Sequence, residues 1–237
     1  MARLLRALAL LNGRFAAAIA RTLIARPRDH QAVKRFADHA AAKGFEFTQR
    51  WTDDNIDFAA PLLRRFAQER TRIDYLEIGA YEGRSLAFID HLLPGKVAAT
   101  VVDPWFDGAL NSEPKYHAVE PRFARNRAKL GFDSLKVVKG FSTYELPRML
   151  QAGEAFDLIY VDGSHTAWAV LVDLAFCAAM LRVGGLMILD DYWLTTQLGG
   201  PGVKPAVDRF HGVFRDYFEI EAVYRQVALR KIAEIPR

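Results

Sequence analysis

The chain has 237 residues, half of them apolar and a quarter charged, which suits a globular protein with a full core. No apolar run approaches the about eighteen residues needed to cross a bilayer, and one cysteine, Cys177, excludes an internal disulfide. The net charge of +4 is uneven, because residues 1–35 carry +7 and the rest of the chain −3, so the basic signal belongs to an arm and not to a nucleic-acid-binding body.

In that arm Leu4, Leu8, Leu11, Phe15 and Ile19 fall on one stripe at spacings of three and four, with Arg3, Arg6, Arg14 and Arg21 opposite. The pattern predicts an N-terminal helix packed on the body or on a second subunit, as in a homodimer. A peripheral contact with an anionic membrane is the alternative. Asn12, Gly13 and Arg14 interrupt the run too early for a secretory signal, and the arginines lack the interleaved aromatics of a nucleic-acid site. Residues 1–70 therefore read as a basic helical arm and cap, and 71–237 as the main domain.

Residues 31–70 read as helices and connections. Thr52, Asp53 and Asp54 supply a cap and first-turn acids for one of them, and Pro61 is expected early in a helix over 62–70. From residue 72 strands and helices alternate. Strands are predicted at about 73–79, 97–102, 135–138, 156–161 and 185–189, with helices to 92 and over 116–130, 143–150 and 166–182. Cys177, among Ala175, Phe176, Ala178 and Ala179, then reads as a small buried hydrophobe of the last helix, in a reducing cytoplasm. A glycine loop at 199–202 precedes a helix over 203–214, and two closing strands at 218–224 and 227–232 should pair as an antiparallel hairpin at a sheet edge. The expected fold is α/β, a Rossmann-like, mostly parallel seven-stranded sheet with helices on both faces.

Ligands of such a sheet bind at the carboxyl ends of its strands, where the distinctive residues collect. After the first strand comes Glu77-Ile78-Gly79-Ala80-Tyr81-Glu82-Gly83-Arg84-Ser85, a glycine turn running into a helix. Such a turn lets a ligand approach bare backbone. About twenty residues on, Asp103 can accept hydrogen bonds from ribose hydroxyls. A dinucleotide fits poorly: Tyr81 occupies the position of the second glycine of its fingerprint, and Glu77 would repel a diphosphate. A cofactor with an ammonium or sulfonium group suits the acid better.

Glu77-x-Gly79-x-x-x-Gly83-x-Ser85 with Asp103 resembles the class I S-adenosylmethionine-dependent methyltransferases. The segments 76–85, Val161-Asp162-Gly163-Ser164-His165 and Asp190-Asp191-Tyr192 are similar to a bacterial O-methyltransferase subfamily related to macrocin-type sugar O-methyltransferases. The resemblance covers about residues 70–225. It implies that Glu77, Gly79, Tyr81, Gly83 and Ser85 line the S-adenosylmethionine site, with Asp103 on the ribose and Ser142 beside the adenine. Ser142 also reads as a helix cap with Glu145 in a capping box.

Asp162, Asp190 and Asp191, at the ends of neighbouring strands, would repel one another unless protonated or bridged by a cation. Oxygen ligands favour a hard ion such as Mg²⁺, and metal-dependent catechol-type methyltransferases carry acids at matching positions. Where that family has a lysine three residues after the first acid, this chain has His165, a candidate base for the acceptor hydroxyl working beside Asp162. The expected function is a metal-assisted O-methyltransferase of a small hydroxylated molecule, a sugar or secondary metabolite. The alternatives are a hydroxylase-like enzyme of the same fold or a non-catalytic membrane- or partner-binding module. Asp208 and His211 read as solvated residues of an amphipathic helix. Trp168, Tyr192 and Trp193 read as a substrate wall or as core, and Tyr116 and His117 as a substrate loop.

Overall fold

Runs of branched and aromatic residues form the strands, and their alternation decides which helix layer each side chain meets. The computed structural model describes residues 28–105, 118–193 and 202–236. Its strands are β1 (Ile73–Ile78), β2 (Val97–Asp103), β3 (Ser134–Lys139), β4 (Phe156–Val161), β5 (Leu181–Leu189), β6 (Phe218–Val223) and β7 (Val227–Lys231). They form one seven-stranded sheet in the order β3-β2-β1-β4-β5-β7-β6. The first five are mutually parallel, and β7 runs antiparallel to both β5 and β6. The predicted mostly parallel sheet with a closing hairpin is what forms.

The helices are α1 (Ala32–Ala42), α2 (Asp53–Ala67), α3 (Arg84–Leu92), α4 (Val119–Arg127), α5 (Ser142–Gln151), α6 (Ala167–Met180) and α7 (Val203–Phe214). Two cores result. Ile73 and Tyr75 of β1, with Leu158 and Tyr160 of β4, pack under α1 to α4. Their alternates Leu76, Ile78, Ile159 and Val161 pack under α5 to α7. Cys177 is buried in the second core, as its alanine neighbours predict. Among the described residues no helix is long and apolar enough to cross a membrane.

Four local expectations change. Pro61 lies inside α2, which is continuous from Asp53 to Ala67. A proline cannot bond to the carbonyl four residues back, and that carbonyl, of Asp57, instead accepts the Asp29 N–H at 2.8 Å. No loop separates α6 from β5: the helix ends at Met180 and the strand begins at Leu181, with Gly184 at φ 80° inside it. Ser142 is the first residue of α5 and Phe141 its cap, without a side-chain bond, so the expected capping box does not form. His211 is buried in α7 instead of solvated, while Asp208 accepts the Tyr192 hydroxyl at 2.6 Å. Residues 1–27 of the predicted arm, the loop with Tyr116 and His117, and the glycine loop to residue 201 lie outside the described residues.

Candidate active site

The ladder continues one residue past β1, β4 and β5 and brings their exits level. Gly79 N–H bonds to Val102 O at 2.9 Å, Asp162 N–H to Ile78 O at 2.8 Å, and Asp190 N–H to Val161 O at 3.0 Å. The glycine turn and the acidic exits thus share one edge of the sheet.

At the turn Gly79, Tyr81 and Gly83 all have positive φ. Glu77 is completely buried, and its carboxyl accepts the Tyr75 hydroxyl at 2.6 Å and the Ser85 hydroxyl. Burial pushes its pKa up to about 7 against the pull of those two donors. Asp103 bridges the turn to its own strand end. One of its oxygens accepts the N–H groups of Ala80 at 2.7 Å and Tyr81 at 2.9 Å, and the other accepts Trp105 N–H at 2.7 Å. A carboxylate offers about four acceptor positions, so three donors among the described residues leave room for one more. Burial raises the Asp103 pKa despite these bonds.

Ser142 lies beside Asp173 of α6, a completely buried acid whose carboxyl burial pushes up to about 6, with the Ser142 hydroxyl moderating the shift. Glu82 is almost fully buried and binds the Thr48 N–H at 2.6 Å, the Thr48 hydroxyl at 2.7 Å and the Arg122 guanidinium. It fastens the turn to the segment before α2 and to α4.

Across the edge, Asp162, His165 and Asp191 come together, with one ligand atom from each within 4.8 Å of the others. His165 Nε2 stands 3.6 Å from Asp162 Oδ1 and 3.3 Å from Asp191 Oδ2. It is buried and has no hydrogen-bond partner among the described residues. The Asp162 carboxylate beside it raises the His165 pKa above the ordinary histidine value. Burial and then Asp190 push Asp162 well up, and the same two causes raise Asp191.

Asp190, expected in the same set, is outside this trio. It is buried and turned towards α2, where it meets Asn55, Tyr160 and Gln226. These three partners, like Glu82, carry no motif. They are found only because tertiary packing brings them to a buried carboxylate. Tyr192 is core, whereas Trp168 is 67% and Trp193 42% exposed near the acidic exits.

Two carboxylate oxygens, with an imidazole nitrogen at their border, form a cluster that suits a divalent cation. The buried Nε2, without a hydrogen-bond partner among the described residues, faces both carboxylates. A buried carboxyl at a backbone-rich turn, with an acceptor position on a second acid that no described residue fills, suits a cationic ligand bearing ribose hydroxyls. The chemistry available at this edge is therefore nucleoside binding next to an acid–histidine centre.

Residues 76–192 match a family model described as a methyltransferase domain. A comparison with curated proteins found no match. Among solved structures, a methyltransferase of the mycinamycin biosynthetic pathway, MycE, in complex with Mg, SAH and mycinamycin VI, aligns with a TM-score of 0.56 at 17% identity. The alignment covers 86% of this chain and 57% of that one, so this chain spans little more than half its length. The O-methyltransferase NovP aligns at 0.55 and 18% identity over 75% of this chain and 81% of that one. TomG from Streptomyces achromogenes, an O-methyltransferase involved in tomaymycin synthesis and solved with SAM, aligns at 0.53 and 14% identity over 94% and 100%. At these identities the likeness is one of fold.

Proposed function

We propose, on the match of residues 76–192 to a methyltransferase-domain model, that the protein is an S-adenosylmethionine-dependent O-methyltransferase acting on a hydroxyl of a small molecule, a sugar or secondary metabolite. The observation that carries the reading is the pairing, on one sheet edge, of the buried Glu77 at the glycine turn with the Asp162–His165–Asp191 trio. Solved relatives of the fold with mycinamycin VI or with a part in tomaymycin synthesis support a small-molecule acceptor.

S-adenosylmethionine, when bound, supplies a methyl group on a sulfonium that an oxygen nucleophile takes by direct displacement. Glu77 would face its cationic end and Asp103 one ribose hydroxyl. Gly79, Tyr81, Gly83 and Ser85 would shape the turn around it, and Ser142 would sit beside the adenine. Because alignment of the reacting atoms supplies much of the rate, these residues act chiefly by holding geometry. The acceptor hydroxyl must also lose its proton. His165 would take it on its imidazole, and Asp162 and Asp191 would stabilise the imidazolium that results. Asp162 and Asp191 would also hold a divalent ion, with His165 at its border, and such an ion supplies orientation and a lowered hydroxyl pKa.

The test is transfer of a labelled methyl group from S-adenosylmethionine to a panel of hydroxylated sugars and natural products. Turnover should fall with a chelator and return with added Mg²⁺; full turnover by the chelated protein would remove the ion from the reading. His165→Ala should cut kcat by about 10²-fold or more while leaving cofactor affinity nearly unchanged. Equal losses in both would mark His165 as structural.

A further inference from the structure

The inward turn of Asp190 is built, and its first support comes from α2. Asn55, buried in the first turn of that helix, donates Nδ2 to Asp190 Oδ1 at 3.0 Å. Gln226 Nε2 reaches Oδ2 at 3.1 Å, the Tyr160 hydroxyl donates to Oδ2, and Asp191 N–H bonds to Oδ1 at 2.7 Å. These four donors occupy the acceptor positions a carboxylate offers, which leaves Asp190 none for an ion.

Asn55 shows a cost that a merely packed residue would not carry. Its Oδ1 is buried without a hydrogen-bond partner among the described residues. Rotating the amide would set that oxygen against the Asp190 carboxylate, so charge alone fixes the orientation. A leucine or alanine at this position would leave no orphaned acceptor. What the asparagine adds is the donor held on Asp190.

The consequence falls on the next residue. Asp191 has φ 52°, a left-handed backbone that a residue with a side chain adopts only when its surroundings impose it. The Asp190 carboxylate grips its N–H. The following residue, Tyr192, bonds through its N–H to Arg225 O at 3.0 Å, and Arg225 pairs with Asp54, the neighbour of Asn55 on α2. The first turn of α2 thus braces the backbone that presents Asp191 to Asp162 and His165.

We propose that Asn55 is a positioning residue of the ion site: it pins Asp190 inward, and Asp190 through the Asp191 N–H fixes the carboxylate that meets the ion. This rests on the ion reading above and makes Asp190 a support instead of a ligand.

Mn²⁺ is the probe, titrated calorimetrically into the full chain, with S-adenosylhomocysteine affinity measured on the same preparations. Asn55→Leu should weaken Mn²⁺ binding by about ten- to a hundredfold, as loss of an outer-shell partner does, with S-adenosylhomocysteine affinity unchanged. Asp190→Asn alone should weaken it likewise. The exchange variant, Asn55→Asp with Asp190→Asn, restores an amide–carboxylate pair with roles reversed and should recover most of the loss. An exchange variant as weak as Asp190→Asn, or Asn55→Leu with wild-type Mn²⁺ affinity, would overturn the proposal, since a ligand cannot be exchanged for its support. If Asn55→Leu loses both ligands through misfolding, recovery in the exchange variant still decides. A wild-type chain that binds S-adenosylhomocysteine but no Mn²⁺ removes the ion reading itself, and with it this proposal, by a pattern the variants cannot mimic.

Discussion

At Gly79 the chain turns with φ 86°, and a Cβ there would stand 2.0 Å from the Asp162 carbonyl oxygen. The crowding comes from backbone one strand away, so no rotamer change relieves it. The absent side chain lets β1 and β4 leave the sheet in contact, besides keeping a turn open for a ligand. Gly79→Ala should therefore cost more than ~4 kcal/mol, the range reserved for forced overlap and strain. Urea unfolding of the variant, or its failure to accumulate as soluble protein, checks this; a loss under ~1 kcal/mol would contradict it. Gly83 is less demanding, since a Cβ there would meet only the Phe123 ring at 3.2 Å, though its φ of 81° still favours glycine.

Among the elements, α6 depends at its carboxyl end on a residue far along the chain. It runs into β5 without a loop, so its last carbonyls have no turn to satisfy them. Lys231 of β7 reaches under the junction, 2% exposed at its side chain, and donates to Leu181 O at 2.8 Å and Ala178 O at 3.2 Å. A cation at a helix carboxyl end also opposes the helix dipole. Lys231→Met keeps the apolar stem and removes the donor. It should destabilise by about 1–3 kcal/mol, the cost of leaving buried acceptors unpaired. The urea midpoint should fall with an unchanged m-value; an unaltered midpoint would show that water replaces the ammonium there.

For the whole molecule, buried acids set a pH dependence. Glu77 at about 7 and Asp173 at about 6 stand above the ordinary values of 4.5 and 3.8 for these carboxyls. Between the unfolded and folded pKa values the native state holds the extra proton, so stability falls as pH rises. Each acid contributes stability that is present below its unfolded pKa and lost as pH passes its folded one, at most about 3 kcal/mol apiece. Asp29, its pKa lowered by Arg64 and Arg35, works in the opposite sense at the acid end. Stability of the ligand-free protein should decline from about pH 5 to pH 8. Glu77→Gln with Asp173→Asn should make the decline shallower in denaturant titrations across that range, the raised Asp103, Asp162, Asp191 and His165 supplying the rest. A double variant with the wild-type slope would place the responsible groups elsewhere.

The alternation of strand and helix, the mostly parallel sheet with β4 beside β5, the closing hairpin and the exits that carry Glu77, Asp103, Asp162 and Asp191 were all legible in the sequence. Apolar period, glycine turns and acids at strand ends are local signals, set by backbone sterics and by which face a side chain must bury. The direction of Asp190 was not legible. Two adjacent aspartates look alike along a chain, and only the packing of α2 and β7 against β5 brings Asn55 and Gln226 to one of them and leaves the other facing His165. The same holds for Pro61 in mid-helix, tolerated because Asp29 reaches the carbonyl it frees, and for Lys231 beneath the end of α6. A carboxylate's role depends on which donors surround it in space, and most of those donors come from segments far along the chain.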